Sequence, residues 1–256
     1  MRQFYGFILS ILALSMGTIS CGNDDDPQEE TIIGPQVTLT MTDARKAITA
    51  QGISIPYHEL KVSVEGKTEK PCLLLYLHGG TSTGNDNEKQ MEEPGVDSIS
   101  NYLKARNVNA CMIVPQCPVR QSWIGPVGYV LKSLIDEYVN QGIVDADRIY
   151  LFGGSMGGTG TWSMLATYPD LFAAAMPVAG NPEKAGEYSG NTPLLTVMGT
   201  ADNLMSYETA NDFVDHLKAS GVDANIEIVE GWTHEMTCKQ SYTTSRLDWV
   251  LSHRRN

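Results

Sequence analysis

Three stretches of this chain run apolar without relief and then stop at turn residues. They are PCLLLYLHGG (71–80), NACMIVPQCP (109–118) and DRIYLFGG (147–154). A strand with one face in water alternates apolar and polar residues. A strand covered on both faces, as in a parallel sheet, does not. Helical patterns fall between these runs. SISNYLKARN (98–107) is one. GPVGYVLKSLIDEYVNQG (125–142) is another, with Val127, Val130, Leu131, Leu134, Ile135 and Val139 at helix spacing. The alternation continues as a helix in MGGTGTWSMLATYP (156–169), strands in LFAAAMPVAG (171–180) and TPLLTVMGT (192–200), a helix over 206–221, a strand in ANIEIVEGW (224–232) and a closing helix over 241–255. Upstream, QVTLTMT and ISIPYHELKVSV alternate as half-buried strands, and GKTEK reads as a turn. Strands alternating with helices predict an α/β domain with a mostly parallel central sheet and helices on both faces. One domain is expected over residues 36–256.

The N-terminus reads differently. Arg2 precedes the apolar run FYGFILSILALSMG, which is too short and too terminal for an ordinary membrane span. Residues 1–20 are therefore expected to be a signal peptide. GTIS before Cys21 resembles the lipobox of bacterial lipoproteins, with Thr18 where that family usually has Leu. The resemblance implies lipidation at Cys21 and anchoring in the bacterial outer membrane, on either face. A plain secretory signal with a chance cysteine is the alternative. The acidic GNDDDPQEE that follows cannot bury a core, so residues 21–35 are expected to form a solvated tether. It is also similar to the acidic export tag of some Gram-negative surface lipoproteins.

The net charge of −12, without a basic stripe, argues against a nucleic-acid partner, since phosphates are bound largely through Lys and Arg. No cysteine spacing fits a zinc site. Cys72 and Cys111 lie in apolar runs and are expected to be buried thiols. Cys117 follows a strand end and Cys238 follows the GWTHE segment, both in loops, and a disulfide between them is one expectation.

Gly153-Gly154-Ser155-Met156-Gly157 fits G-x-S-x-G between a strand and a helix, the context that makes it a nucleophile elbow. The sharp turn predicts a strained Ser155, with Gly153 and Gly157 bare so that the turn can close. The helix starting at Met156 directs free N–H groups and its positive dipole end toward the serine. A serine nucleophile needs a base, and the base an orienting acid. Three histidines follow Ser155. His216 and His253 fall in helices, whereas His234 follows a strand in the loop GWTHE, so His234 is the candidate base. Asp202 follows the strand LLTVMGT and is the candidate acid. Asp212 and Asp215 lie on a helix face. The oxyanion donors are expected to be the N–H groups of Met156 and Gly80, with Thr81 the next candidate.

LYLHGGTSTGNDN, VPQCPVRQSW, the segment VDADRIYLFGGSMGGTGTWSMLATYPDLFAAAMPVAG, VMGTADNLM, GWTHE and LDWVLSHRR together resemble the α/β-hydrolase superfamily. More narrowly they are similar to esterases related to polyhydroxybutyrate depolymerases and feruloyl esterases, often labelled "predicted peptidase". The resemblance implies the α/β-hydrolase fold and the set Ser155, Asp202 and His234, with no metal and no cofactor. It also implies that Trp123, in QSW, lies beside the substrate. HGGT lacks a third glycine, and no insertion is long enough for a large lid, so an open cleft is expected.

These readings predict an exported, lipid-anchored carboxylic ester hydrolase acting on acetyl or feruloyl esters of polysaccharides. Trp123 and Trp232 are expected to stack on a sugar or phenolic ring. A serine peptidase of the same fold and a non-catalytic surface binding protein are the rivals.

Overall fold

The computed structural model describes residues 38–185 and 187–255. The expected signal peptide, Cys21 and the expected tether lie outside the described residues.

Eight strands form one sheet in the order β1-β2-β4-β3-β5-β6-β7-β8. Strands β1 (Leu39–Ala50) and β2 (Ile53–Val64) form a long antiparallel hairpin, and β2 also runs antiparallel to β4 (Ala110–Pro115). Strands β3 (Cys72–Leu77), β5 (Ile149–Gly154), β6 (Ala174–Val178), β7 (Leu194–Gly199) and β8 (Ala224–Val229) run parallel, as do β3 and β4. The three apolar runs are β3, β4 and β5, and every residue in them is buried.

Helices cover both faces. On one face α2 (Pro126–Asn140), α3 (Met156–Thr167) and α4 (Tyr207–Ala219) pack over Leu73, Leu75, Leu77, Ile113 and Leu151. On the other, α1 (Pro94–Ala105) and α6 (Thr244–Leu251) cover Leu74, Tyr76, Met112, Phe152 and Met176. Alternate residues of β3 point into the two cores, as a pleated strand requires. A short helix, α5 (His234–Gln240), lies between β8 and α6.

The order of the strands determines where a site can form. From β3 the chain crosses through α1 to β4 on one side, then through α2 to β5 on the other. The loops leaving β3 and β5 therefore part at their carboxyl ends, and open α/β sheets bind ligands in the crevice at such a switch point. HGG leaves β3 there, and Ser155 leaves β5. Apart from helices packed on the sheet, the described connections carry only 3-10 turns at Gly80–Ser82, Lys89–Glu92 and Pro182–Ala185, and no separate lid.

Candidate active site

Ser155 stands between the last residue of β5 and the first of α3, with φ 58° and ψ −117°. A non-glycine residue there is strained by roughly 1–3 kcal/mol and persists only where its surroundings enforce it. Two close approaches do so. A methyl group on Gly157 would overlap the carbonyl of Leu77 at the end of β3, and one on Gly153 would overlap the carbonyl of Gly157. The bare α-carbons let α3 start directly against the sheet. The Ser155 N–H donates to the Val178 carbonyl of β6 at 3.0 Å, which pins the turn from the other side.

His234 is the first residue of α5. The side chain of Thr233 caps that helix, its Oγ1 accepting from the Met236 N–H at 3.3 Å. The loop ahead of it is fastened to the end of β7, where the Trp232 carbonyl accepts from the Ala201 N–H at 3.0 Å. Gly199 leaves no room for a side chain between β7 and that carbonyl. The Asp202 turn and the His234 turn are thus locked together.

Within this frame His234 Nδ1 lies 2.8 Å from Asp202 Oδ2, and His234 Nε2 lies 2.8 Å from Ser155 Oγ. The carboxylate of Asp202 is fully buried, and its Oδ1 accepts from the N–H groups of Leu204 and Met205 at 2.8 and 2.9 Å. With Oδ1 taken by two backbone donors, Oδ2 is placed to accept from the Nδ1 of His234 in the tautomer that carries its proton there. That leaves Nε2 with a lone pair for the Ser155 hydroxyl. The structure therefore brings Ser155, His234 and Asp202 into one hydrogen-bonded line. His216 and His253 are elsewhere, on α4 and just beyond α6.

The loop after β3 is held by two side chains. His78 is fully buried; its Nδ1 lies 2.6 Å from the Gly79 carbonyl, and its Nε2 accepts from the Cys117 N–H at 2.9 Å. Burial pushes its pKa down to about 4, so it is neutral, with the proton on Nδ1. Glu93 Oε1 accepts from the Gly79 N–H at 3.1 Å and from Ser82 Oγ at 2.7 Å. The Gly79 N–H is thereby occupied, while the Gly80 N–H has no acceptor among the described residues. Gly80 is exposed, with open space around its α-carbon, and Thr81 is also exposed. Met156 supplies the first N–H of α3, for which the helix has no acceptor. The sequence points to the HGG loop for the second donor but gives the His78 side chain no role of its own, and Glu93 sits in a polar stretch without periodicity.

Trp123 is not where the resemblance put it. It is fully buried beneath the loop, with its ring packed edge-on against His78 at 4.9 Å between centroids and its Nε1 donating to the His78 carbonyl at 2.9 Å. Gly160 leaves the space that the indole fills against α3. Its whole surface is taken by the protein, so it cannot contact a substrate, and its place is to support the loop. Trp232 is half-buried, with the Arg246 guanidinium 5.8 Å above its ring.

The expected disulfide is also corrected. Cys72, Cys111, Cys117 and Cys238 are all free. Cys117 belongs to the core under α2 and α3, whereas Cys238 packs with the core on the opposite face, so the sheet separates them. Cys238 does lie close to the site, its Sγ 4.0 Å from His234 Nε2, one helical turn along α5.

A solved thermostable esterase superposes on this chain with a TM-score of 0.73, covering 83% of this chain and 63% of its own length at 22% identity. The fold is the α/β-hydrolase fold. Residues 131–184, which contain the elbow, match the model of the prolyl oligopeptidase family. Poly(3-hydroxyalkanoate) depolymerase C of Paucimonas lemoignei is 43% identical over 130 residues, covering 44% of this chain. Acetylxylan esterase A of Emericella nidulans is 44% identical over 52 residues, covering 20% of this chain. The chain spans 28% of the depolymerase and 17% of the acetylxylan esterase, so the matches are local.

Proposed function

We propose that this protein is a serine carboxylic ester hydrolase, exported and lipid-anchored through Cys21, that removes acetyl or feruloyl groups from polysaccharide. The observation that carries the hydrolase reading is the pair of 2.8 Å hydrogen bonds linking Asp202, His234 and Ser155. In this reading Ser155 Oγ attacks the acyl carbonyl while His234 Nε2 takes its proton. The N–H groups of Met156 and Gly80 receive the oxyanion. His234 then protonates the leaving alcohol and, in the second half, takes a proton from the water that releases the acid. Asp202 holds the imidazole in the required tautomer and stabilises the imidazolium. The likeness to an acetylxylan esterase and to a polyester depolymerase supports ester substrates carried on polymers.

A peptidase is the second reading, favoured by the prolyl oligopeptidase match over 131–184. That segment holds the elbow, which acyl transfer to an ester or an amide uses alike. A panel of p-nitrophenyl esters, methyl ferulate, acetylated xylan and peptide amides separates the two. Turnover of short or aromatic esters with little amide cleavage is expected; efficient amide cleavage with negligible ester turnover would favour the peptidase. Export is tested separately. Cys21→Ala is expected to release the protein from membranes, and a mature N-terminus other than Cys21 would refute the anchor.

A further inference from the structure

The geometry points to Glu93 as the positioning residue that sets the oxyanion loop, by occupying the Gly79 N–H and leaving that of Gly80 to the substrate. The inference rests on the hydrolase reading and adds a residue to it. Glu93 is not in line with Ser155, His234 and Asp202, and no G-x-S-x-G pattern contains it. It stands at the N-cap of α1, with Pro94 as the first helical residue fixing the entry.

What brings it to the site is a close approach between α1 and β3. A methyl group on Gly95 would overlap the ring of Tyr76, and Tyr76 is itself fully buried two residues before His78. Because residue 95 is glycine, the first turn of α1 lies directly on β3, and Glu93 comes to rest beneath the HGG turn. A side chain on Gly79 would lie 3.6 Å from Glu93 Oε1 and 3.7 Å from the β-carbon of Ser155, so the carboxylate, the loop and the nucleophile are packed in sequence.

The two hydrogen bonds do different things. The bond from Gly79 N–H, at 3.1 Å, removes the wrong donor from the mouth of the site. The bond from Ser82 Oγ, at 2.7 Å, fixes the far end of the same turn, which the Ser82 N–H closes onto the Gly79 carbonyl at 3.3 Å. Gly80 lies between these fixed points with no side chain and open space around it. His78 and Trp123 hold the loop from the opposite face, so Glu93 is its counterpart across the sheet end. A donor displaced by a fraction of an ångström costs rate chiefly in the transition state, because the oxyanion exists only there.

Steady-state hydrolysis of p-nitrophenyl acetate tests this with Glu93→Ala, Glu93→Gln, Glu93→Asp and the exposed neighbour Glu92→Ala as control. Glu93→Ala is expected to lower kcat by roughly 10- to 100-fold with KM within about threefold, short of the ~100- to 1000-fold loss when an oxyanion donor is removed outright. Glu93→Gln keeps an acceptor oxygen at the same reach and is expected to retain kcat within about fivefold. Glu93→Asp withdraws the carboxylate by one methylene and is expected to lose kcat about tenfold, which also reads the proposal should the alanine variant not fold. Glu92→Ala is expected to match the wild type. Undiminished kcat in Glu93→Ala or Glu93→Asp overturns the proposal. So does a loss in Glu93→Gln equal to that in Glu93→Ala, which would assign the effect to charge instead of position. A wild-type protein without turnover removes the hydrolase reading and this proposal together; an active wild type with active Glu93 variants removes this proposal alone.

Discussion

Gly157 faces the carbonyl of Leu77 across a gap too small for a methyl group. The relationship joins the start of α3 to the end of β3, and so joins the serine turn to the HGG loop. Gly157→Ala must push one of them away. Overpacking of this kind costs about 1–3 kcal/mol, and it falls here on the two segments that hold Ser155 and Gly80. The variant is expected to melt several degrees below the wild type and to lose at least about tenfold in kcat, since small misplacements at a site are expensive. Thermal unfolding and p-nitrophenyl acetate turnover check both. Wild-type values in both would mean that the loops are not coupled through this contact.

His78 predicts an acid-side loss of stability. Burial holds its pKa down at about 4 in the folded chain, against an ordinary value near 6.5. Between those values the unfolded chain binds the proton and the folded chain does not, so stability falls as pH drops through that window. Protonation would also set an N–H of His78 against the Cys117 N–H it now accepts. Melting temperatures of the wild type and His78→Gln from about pH 7 to pH 4 are expected to converge as pH falls. Parallel curves would contradict a neutral His78.

His58 predicts the opposite slope. Burial by itself lowers this imidazole, but the hydrogen bond to Asp43, the bond to the Asn87 carbonyl and the charge of Asp43 outweigh it, against a smaller opposing effect from Arg45, and its pKa is raised. Both ring nitrogens face acceptors, at 2.7 Å to Asp43 Oδ1 and 2.8 Å to the Asn87 carbonyl, which only an imidazolium satisfies as a double donor. Its contribution is full below the ordinary histidine range and is lost as pH rises through the raised value. The stability gap between wild type and His58→Gln is expected to narrow from mildly acidic to alkaline pH, measured by urea unfolding. A gap that widens with pH would contradict the assignment.

Cys238 is expected to be inert despite its place beside His234. Burial pushes its thiol up to about 12, so little thiolate exists near neutrality. Iodoacetamide is expected to leave native Cys238 unlabelled and to modify it, with Cys72, Cys111 and Cys117, only after unfolding. Rapid labelling of native Cys238, read by mass spectrometry, would contradict this.

The sequence marks Ser155, Asp202 and His234 because each sits where an apolar run ends in turn residues. Much of the rest is silent for physical reasons. The β1 strand continues through DARKAITA, but it is a sheet edge with most positions in water, so it lacks the alternation that marks a strand. Helix α5 has seven residues, too few for an apolar period to register. The order of the strands is a tertiary fact that no local pattern carries. Trp123 misleads because depth beneath a loop is not encoded in the residues around it; the space it fills is provided by Gly160, far along the chain. Glu93 is silent because its partners are a backbone N–H and a serine more than ten residues away.

The central claim is that Ser155, activated by His234 and oriented through Asp202, is the nucleophile. Reaction of the purified protein with a fluorophosphonate, followed by mass spectrometry of the labelled peptide, tests it most directly. The account predicts one adduct, on the peptide containing Ser155, absent in Ser155→Ala and formed at least about a thousandfold more slowly in His234→Ala, as expected when a member of a serine–histidine–aspartate set is removed. An adduct that persists in Ser155→Ala, or a wild-type protein that does not react, would contradict it.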